Sequence, residues 1–288
     1  KIDTRHLSAI ALDKCLTSRN PVAIEPGRHT TILEPQAVCD FVGQLIHGVF
    51  TEALDKACSV GTCGDSRDYP FNKTQAGGNN GPGLSRLGDR VVDERITISA
   101  DPMDPELGFP PFFPNAEPMG RNSVSDWIGQ NVFHPTTWIK DGVLTALEYG
   151  RDSFIGSVGP DTGLGVPNSG AFRMSGGTTS IDEMIQTTRR GLLVTRLDRI
   201  QGLDLRSLLL RGYTRDGLWL VENGKISKPV KNFMFVESIL FALNNVEQVG
   251  VPQRVYHPAT GRLAIPQPVI VPPLKIKDFS FTALVDAV

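Results

Sequence analysis

The chain has 288 residues, of which 40% are hydrophobic and 21% are charged, an ordinary composition for a soluble globular protein. Its 29 basic and 31 acidic residues leave a net charge of −2, so no positive excess indicates direct binding to nucleic acid or to an anionic membrane. Because no run approaches the length of about 18 apolar residues that spans a bilayer, we expect no membrane partner.

The four cysteines are spaced in a way that indicates packed free thiols. Cys15, Cys39, Cys58 and Cys63 form no CxxC pair, and two of them fall in a helix that we expect to be buried. The chain begins without a methionine and without a secretion signal. We therefore expect a cytoplasmic protein and a fragment of a longer one.

The first elements along the chain are a short amphipathic helix at residues 7–16, a strand in HTTILEP and then a long helix from Gln36 to Ser59. Pro35 suits the first turn of that long helix, and Gly61 can end it. Its apolar residues cover roughly 220° of the circumference, so we expect it to be largely buried. Gly43 and Gly48 weaken the helix and suggest close approach by another backbone.

Two ionisable side chains flank the polar strip of this helix. His47 and Glu52 lie roughly 140° apart on a regular helix, so they cannot share one metal ion without a bulge or a kink. The residues by themselves favour a histidine at the margin of the helix and a solvated carboxylate.

The middle of the chain is predicted to be loop-rich with short strands. Residues 65–88 are rich in glycine and asparagine, RVVDERITIS contains a strand, and a proline-rich loop follows with Phe112 and Phe113. Asp141-Gly142 and Asn223-Gly224 each separate two β-rich arms, which predicts two hairpins.

Between the hairpins, Ser180 and Glu183 form a capping-box pattern that starts a helix, and Gly191 is its predicted end. GLLVTRL then indicates a strand, and VKNFMFVESILFALNNVEQVG a strand entering a helix. The proline-interrupted tail LAIPQPVIVPPLKIKDFSF indicates extended edge structure. We predict one α+β domain over residues 1–288, mostly antiparallel, with three or four helices.

Seven arginines occur between Gln186 and Arg215, and they allow two interpretations. They could form a solvated face, or a groove for an acidic or peptide ligand.

The segment LIHGVFTEALD resembles the His-Glu-x-x-x-His metal helix of the TldD/PmbA family of metallopeptidases, also called modulators of DNA gyrase. The resemblance extends over nearly the whole chain. Ordered blocks that resemble those of the family include IEPGRHTTILEPQAV, LGDRVVDERITISADP and DGLWLVENGKISKPVKNFMF. It implies the C-terminal portion of such a protein, without the family's N-terminal domain, and a role in proteolysis of peptides or unfolded proteins.

The resemblance also implies which subunit type this is. In the family, TldD carries the metal helix and a later cysteine ligand, whereas its partner PmbA (TldE) has lost them. Here Gly48 stands at the position of the motif's glutamate, Glu52 at that of its second histidine, and His257 approximately at that of the cysteine. The leading hypothesis is a non-catalytic PmbA-like component with no catalytic residue and no cofactor, whose partner is a TldD-like subunit or a second copy.

Two alternatives remain. His47, Glu52 and His257 could form a two-histidine, one-carboxylate site for zinc or iron in a self-sufficient metallopeptidase. The chain could instead be a scaffold or a homodimer with no proteolytic role.

Overall fold

The computed structural model describes residues 3–46, 88–108, 135–146, 171–204, 207–257 and 266–286. These residues form four helices and thirteen strands, which confirms the α+β class. The helices are α1 (Thr4–Thr17), α2 (Pro35–Gln44), α3 (Ile181–Gln186) and α4 (Ile239–Asn244). The strands are β1 (Gly27–Leu33), β2 (Ile98–Ala100), β3 (Thr136–Lys140), β4 (Val143–Leu144), β5 (Phe172–Met174), β6 (Arg190–Asp204), β7 (Leu209–Glu222), β8 (Lys225–Pro229), β9 (Phe233–Ser238), β10 (Val246–Val249), β11 (Gln253–His257), β12 (Gln267–Val271) and β13 (Leu274–Leu284).

Five strands of the larger sheet close into a barrel in the order β1-β6-β7-β9-β13, because β1 also pairs with β13. Strand β8 extends the sheet beside β7, and β10 extends it beside β13. Among the named strands only β1–β6 and β5–β12 pair in parallel, so the predicted predominance of antiparallel pairing is confirmed.

The smaller sheet has six strands in the order β11-β12-β5-β2-β3-β4, and α2 lies between it and the barrel. On the barrel side, the Phe41 ring contacts the rings of Phe235 and Phe279, with centroids 6.0 and 5.6 Å apart. On the other side, α2 packs against β11 and β12. The helix therefore belongs to one continuous core shared by both sheets.

The start of α2 agrees with the prediction. Pro35 lies in the first turn, and every residue from Ala37 to Gly43 is buried. The α-helical part ends at Gln44, and the next two residues, Leu45 and Ile46, are buried and continue the helix as a π-type turn. The rest of the predicted helix, residues 47–59, lies outside the described residues.

Local turn chemistry formed as predicted. Asp141 and Gly142 have φ values of 49° and 78°, and Asn223 and Gly224 have φ values of 51° and 78°, as two-residue hairpin turns of type I′ require. The capping box of α3 is also confirmed, because Ser180 Oγ accepts from the Glu183 N–H and Glu183 Oε2 accepts from the Ser180 N–H.

Three predictions were wrong in detail. Helix α3 ends at Gln186, whereas Gly191 lies in β6 against β1, where a Cβ would stand 2.5 Å from Thr30 O. The tail is not edge structure, since β12 lies between β11 and β5, and β13 between β1 and both β9 and β10. The prolines allow this because Pro272 and Pro273 fall between the two strands, and Pro268 precedes the residues of β12 that pair with β5.

The third difference is α1, which forms where predicted but without one buried apolar face. Leu7, Leu12 and Leu16 are all exposed, and the contacts of α1 with the barrel are few. No helix in the described ranges is long and apolar enough to cross a membrane.

Candidate functional site

The imidazole of His257 packs directly on the backbone of α2. His257 ends β11, and only 3% of the residue is exposed. A Cβ built on Gly43 would lie 2.7 Å from His257 Cδ2 and 2.9 Å from Nε2. Both distances are shorter than real Cβ contacts, so this contact requires glycine at position 43. The predicted close approach at Gly43 is present, but the neighbour is a side-chain ring and not another backbone.

Strand β11 is also bonded to α2 by a polar side chain. Gln36 Nε2 donates to Tyr256 O at 3.1 Å and to Asp40 Oδ1 at 3.0 Å. Beyond Tyr256, the guanidinium of Arg254 lies over the Tyr256 ring and donates to Leu107 O at 2.8 Å. The residue that precedes His257 is thus held from the helix side, and its strand is also held from the loop that follows β2.

Asp40 is a buried carboxylate that connects α2 to the barrel. Its Oδ2 accepts from the Leu197 N–H at 3.1 Å and lies 3.5 Å from Arg196 Nε. Burial raises the pKa of Asp40 to about 6, although the hydrogen bonds from Gln36 and Leu197 and the charge of Arg196 act in the opposite direction. The carboxylate is therefore poised to change charge between mildly acidic and neutral pH.

The two described cysteines are free thiols, as predicted, but only Cys39, which lies in α2 beside Asp40, is packed, whereas Cys15 is exposed. Burial raises the pKa of the Cys39 thiol far above its ordinary value, and the neighbouring Asp40 charge adds to this effect. A neutral buried thiol is a poor nucleophile and a poor metal ligand, so Cys39 is a packing residue.

Comparison with known families decides where this arrangement belongs. The family model described as the PmbA/TldA metallopeptidase C-terminal domain matches residues 26–283. The chain belongs to this family. A search of curated proteins found no match.

Three solved structures share the fold of this chain. TldE from Thermococcus kodakarensis superposes with a TM-score of 0.67 at 14% identity, over 98% of this chain and 56% of its own. A proposed modulator of DNA gyrase from Thermotoga maritima gives a TM-score of 0.68 at 15% identity, over 98% and 56%. Another from Bacteroides thetaiotaomicron gives 0.66 at 16% identity, over 96% and 52%. The chain thus spans about half the length of these proteins.

The resemblance to the TldD/PmbA family predicted three site positions, His47, Glu52 and His257. The structure describes only His257. His47, Glu52 and the glycine between them, Gly48, lie outside the described residues. In the sequence His47 follows Gly43 by four residues. Within the described ranges no three His, Cys, Asp or Glu side chains are grouped so that they could hold a metal ion, so these residues supply one imidazole donor and not a complete site.

The arginine-rich segment is largely paired where it is described. Arg196 lies 3.5 Å from Asp216 as well as from Asp40, and Arg215 lies 2.9 Å from Asp198. A cavity of about 310 Å³ is lined by residues of this segment, including Arg199 and Arg215. Both the solvated face and the ligand groove remain interpretations of this surface.

Sequence reasoning missed Gln36 and Asp40. They occupy positions i and i+4 of a helix whose other residues are mostly apolar. This polar pair was the one feature of the sequence that could have indicated their role. Their partners on β6 and β11 lie about 160 and 220 residues further along the chain.

Proposed function

We propose that this chain is a non-catalytic component, of the PmbA or TldE type, of a TldD/PmbA peptidase assembly. In this proposal a TldD-like subunit performs the proteolysis of peptides or unfolded proteins in the cytoplasm. This chain contributes binding surface to the assembly. The observation that carries the proposal is Gly48, which stands where the family's metal helix has its glutamate.

The chemistry of that position supports the proposal. Peptide hydrolysis at a metal centre needs a group that takes a proton from the attacking water, and a carboxylate of suitable pKa serves this purpose. Glycine has no side chain to do so. Among the described residues near α2, Asp40 is bonded to Gln36 and Leu197, and Cys39 is a buried neutral thiol. Neither is free to replace the missing base.

The packing of His257 supports the same proposal. Its ring is enclosed in the core, with Cδ2 and Nε2 against Gly43. An imidazole in this position is packed between helix and sheet, with its Nε2 beside the backbone of α2.

One observation favours a second candidate, a metal enzyme that uses His47, Glu52 and His257. His257 contacts α2 at Gly43, and residues four apart lie on one face of a regular helix. Because His47 follows Gly43 by four residues, this spacing would bring the imidazoles of His47 and His257 to the same face of the helix. In this candidate a bound zinc or iron would polarise the scissile carbonyl, and the base would come from another residue.

Peptidase and metal assays on the purified chain separate these candidates. We expect no cleavage of an unfolded peptide by the chain alone and no near-stoichiometric zinc or iron in elemental analysis. Addition of a TldD-like subunit should give cleavage that depends on the subunit and not on His47. Cleavage by the chain alone that a chelator abolishes would contradict the proposal.

Two histidine variants make this test specific. His47→Ala should leave partner-dependent cleavage unchanged if the site is a relic, and it should remove metal and activity if the second candidate is correct. His29→Ala is the matched control, because it also removes an imidazole but from a position outside the candidate site. The His29 ring stacks on Phe233 in the barrel. Size analysis with and without the TldD-like subunit distinguishes a hetero-assembly from a homodimer or scaffold.

A further inference from the structure

One side chain connects the strand that carries His257 to the helix on which His257 packs. Gln36 Nε2 lies 3.1 Å from Tyr256 O, the carbonyl that immediately precedes His257, and 3.0 Å from Asp40 Oδ1. We propose that Gln36 is a positioning residue, which holds the His257 imidazole over Gly43 by bonding β11 to α2.

The donor chemistry allows only one orientation of the Gln36 amide. Its two neighbours, a backbone carbonyl and an ionised carboxylate, are both acceptors. Only the NH₂ group can donate to them, and its two hydrogens match the two bonds. Both hydrogens of the amide nitrogen are therefore engaged, one on the helix and one on the strand.

Asp40 makes this connection firm, because its second oxygen is bonded to the barrel. Oδ2 accepts from the Leu197 N–H of β6 at 3.1 Å, with Arg196 Nε 3.5 Å away. Hydrogen bonds to an ionised carboxylate are stronger than those between neutral groups. A continuous series of contacts thus runs from β6 through Asp40 and Gln36 to β11.

The spacing along α2 explains how this series acts on His257. Gln36 and Gly43 are seven residues apart, about two turns, so they lie on the same face of the helix. That face meets β11 at two points, a hydrogen bond at Tyr256 and a packed contact at His257. The hydrogen bond at Tyr256 limits rotation and sliding of β11 relative to α2. It therefore also fixes the position of the His257 ring over Gly43.

The same helix offers a matched control. Among the described residues, Gln44 Nε2 donates to the backbone oxygen of Asp40 within α2, at 3.3 Å, and makes no bond to β11. Gln36→Leu and Gln44→Leu remove the same chemical group from the same helix. Only the first removes a bond to β11.

The test reads the position of the imidazole by NMR, using the His257 ring resonances and the exchange of β11 amide hydrogens. We expect Gln36→Leu, and the near-isosteric Gln36→Glu, to shift the His257 resonances. Both should speed β11 exchange about three- to tenfold, as expected for the loss of one hydrogen bond. Gln44→Leu should leave both unchanged. The His29 ring, which stacks on Phe233, is the internal reference in every variant.

The inference fails if His257 keeps its resonances in the Gln36 variants, or moves equally in Gln44→Leu. If neither Gln36 variant folds, the wild-type protein decides the question. The Gln36 side-chain NH₂ should exchange more slowly than that of exposed Gln253, and equal rates would refute the bond. The inference does not rest on the proposed function, because its readouts involve neither cleavage nor a partner. A peptidase result that overturns the proposed function would therefore leave this one standing.

Discussion

The contact between Gly43 and His257 predicts an unusual response to Gly43→Ala. In an exposed helix interior this change stabilises a protein by about 1 kcal/mol. Here the new methyl group would lie 2.7 Å from His257 Cδ2 in a closed core. Overpacking of this kind costs about 1–3 kcal/mol, so we expect Gly43→Ala to lower the free energy of unfolding by about 1 kcal/mol.

Removing the ring should reverse the sign. In a His257→Ala background the methyl group has room, and Gly43→Ala should raise the free energy of unfolding by about 1 kcal/mol. The coupling energy of the double-mutant cycle is then about 2 kcal/mol, within the range measured for residues in contact. Urea unfolding of the four proteins, followed by circular dichroism, gives each value.

A second glycine supplies the control. A Cβ at Gly202 in β6 would meet no atom within 4 Å. Gly202→Ala should therefore change the free energy of unfolding by less than about 0.5 kcal/mol, in the wild-type and in the His257→Ala background alike. If Gly43→Ala instead stabilises the wild-type chain as much as it stabilises His257→Ala, the ring does not pack on Gly43, and the reasoning about the site is wrong.

Three further predictions concern pH, a turn and a cap. Because the pKa of Asp40 is raised from 3.8 to about 6, the folded state binds more protons than the unfolded state between about pH 4 and 6. Stability should therefore fall as pH rises through this window, by an amount on the order of 3 kcal/mol, and Asp40→Asn should remove this dependence in urea unfolding at several pH values. Gly142→Ala should be more destabilising than Gly88→Ala in thermal unfolding. Both glycines have positive φ, but only at Gly142 would a Cβ meet a backbone oxygen, 2.5 Å away on Val92. Ser180→Ala should lower stability by about 1 kcal/mol while Ser180→Thr changes it little, and equal losses would contradict the capping box.

The parts of the fold that could be predicted are those that depend on residues close together in the sequence. Asp141-Gly142 and Asn223-Gly224 form hairpins because their backbones adopt left-handed conformations easily, and Ser180 caps α3 through atoms three residues away. The placement of β12 and β13 could not be obtained in this way. Prolines between two strands look the same in sequence whether those strands lie at an edge or in the middle of a sheet.

The candidate site, like the fold, could be predicted only where the evidence lay in residues close together in sequence. The glycine at position 43 indicated a close neighbour, and the family resemblance indicated His257 separately, but nothing local indicated that each is the other's neighbour. Gln36 and Asp40 were missed because their role is defined by β6 and β11, which reach α2 only in the folded chain. A polar pair inside an apolar helix was the one feature that sequence could offer.

The closure of the barrel has a consequence for how the chain folds during synthesis. Residues 27–33 of β1 pair with residues 274–281 of β13, so the two strands are separated by roughly 250 residues. Contacts this distant in sequence form slowly, because a large loop must close before they become favourable. On the ribosome, β1 can pair with β6 once residues 191–194 have emerged, but its pairing with β13 must wait for residues 274–281. Strands β6 and β7 can pair soon after their own translation. A stop codon before residue 274 would therefore leave β1 and β9 without the strand that joins them.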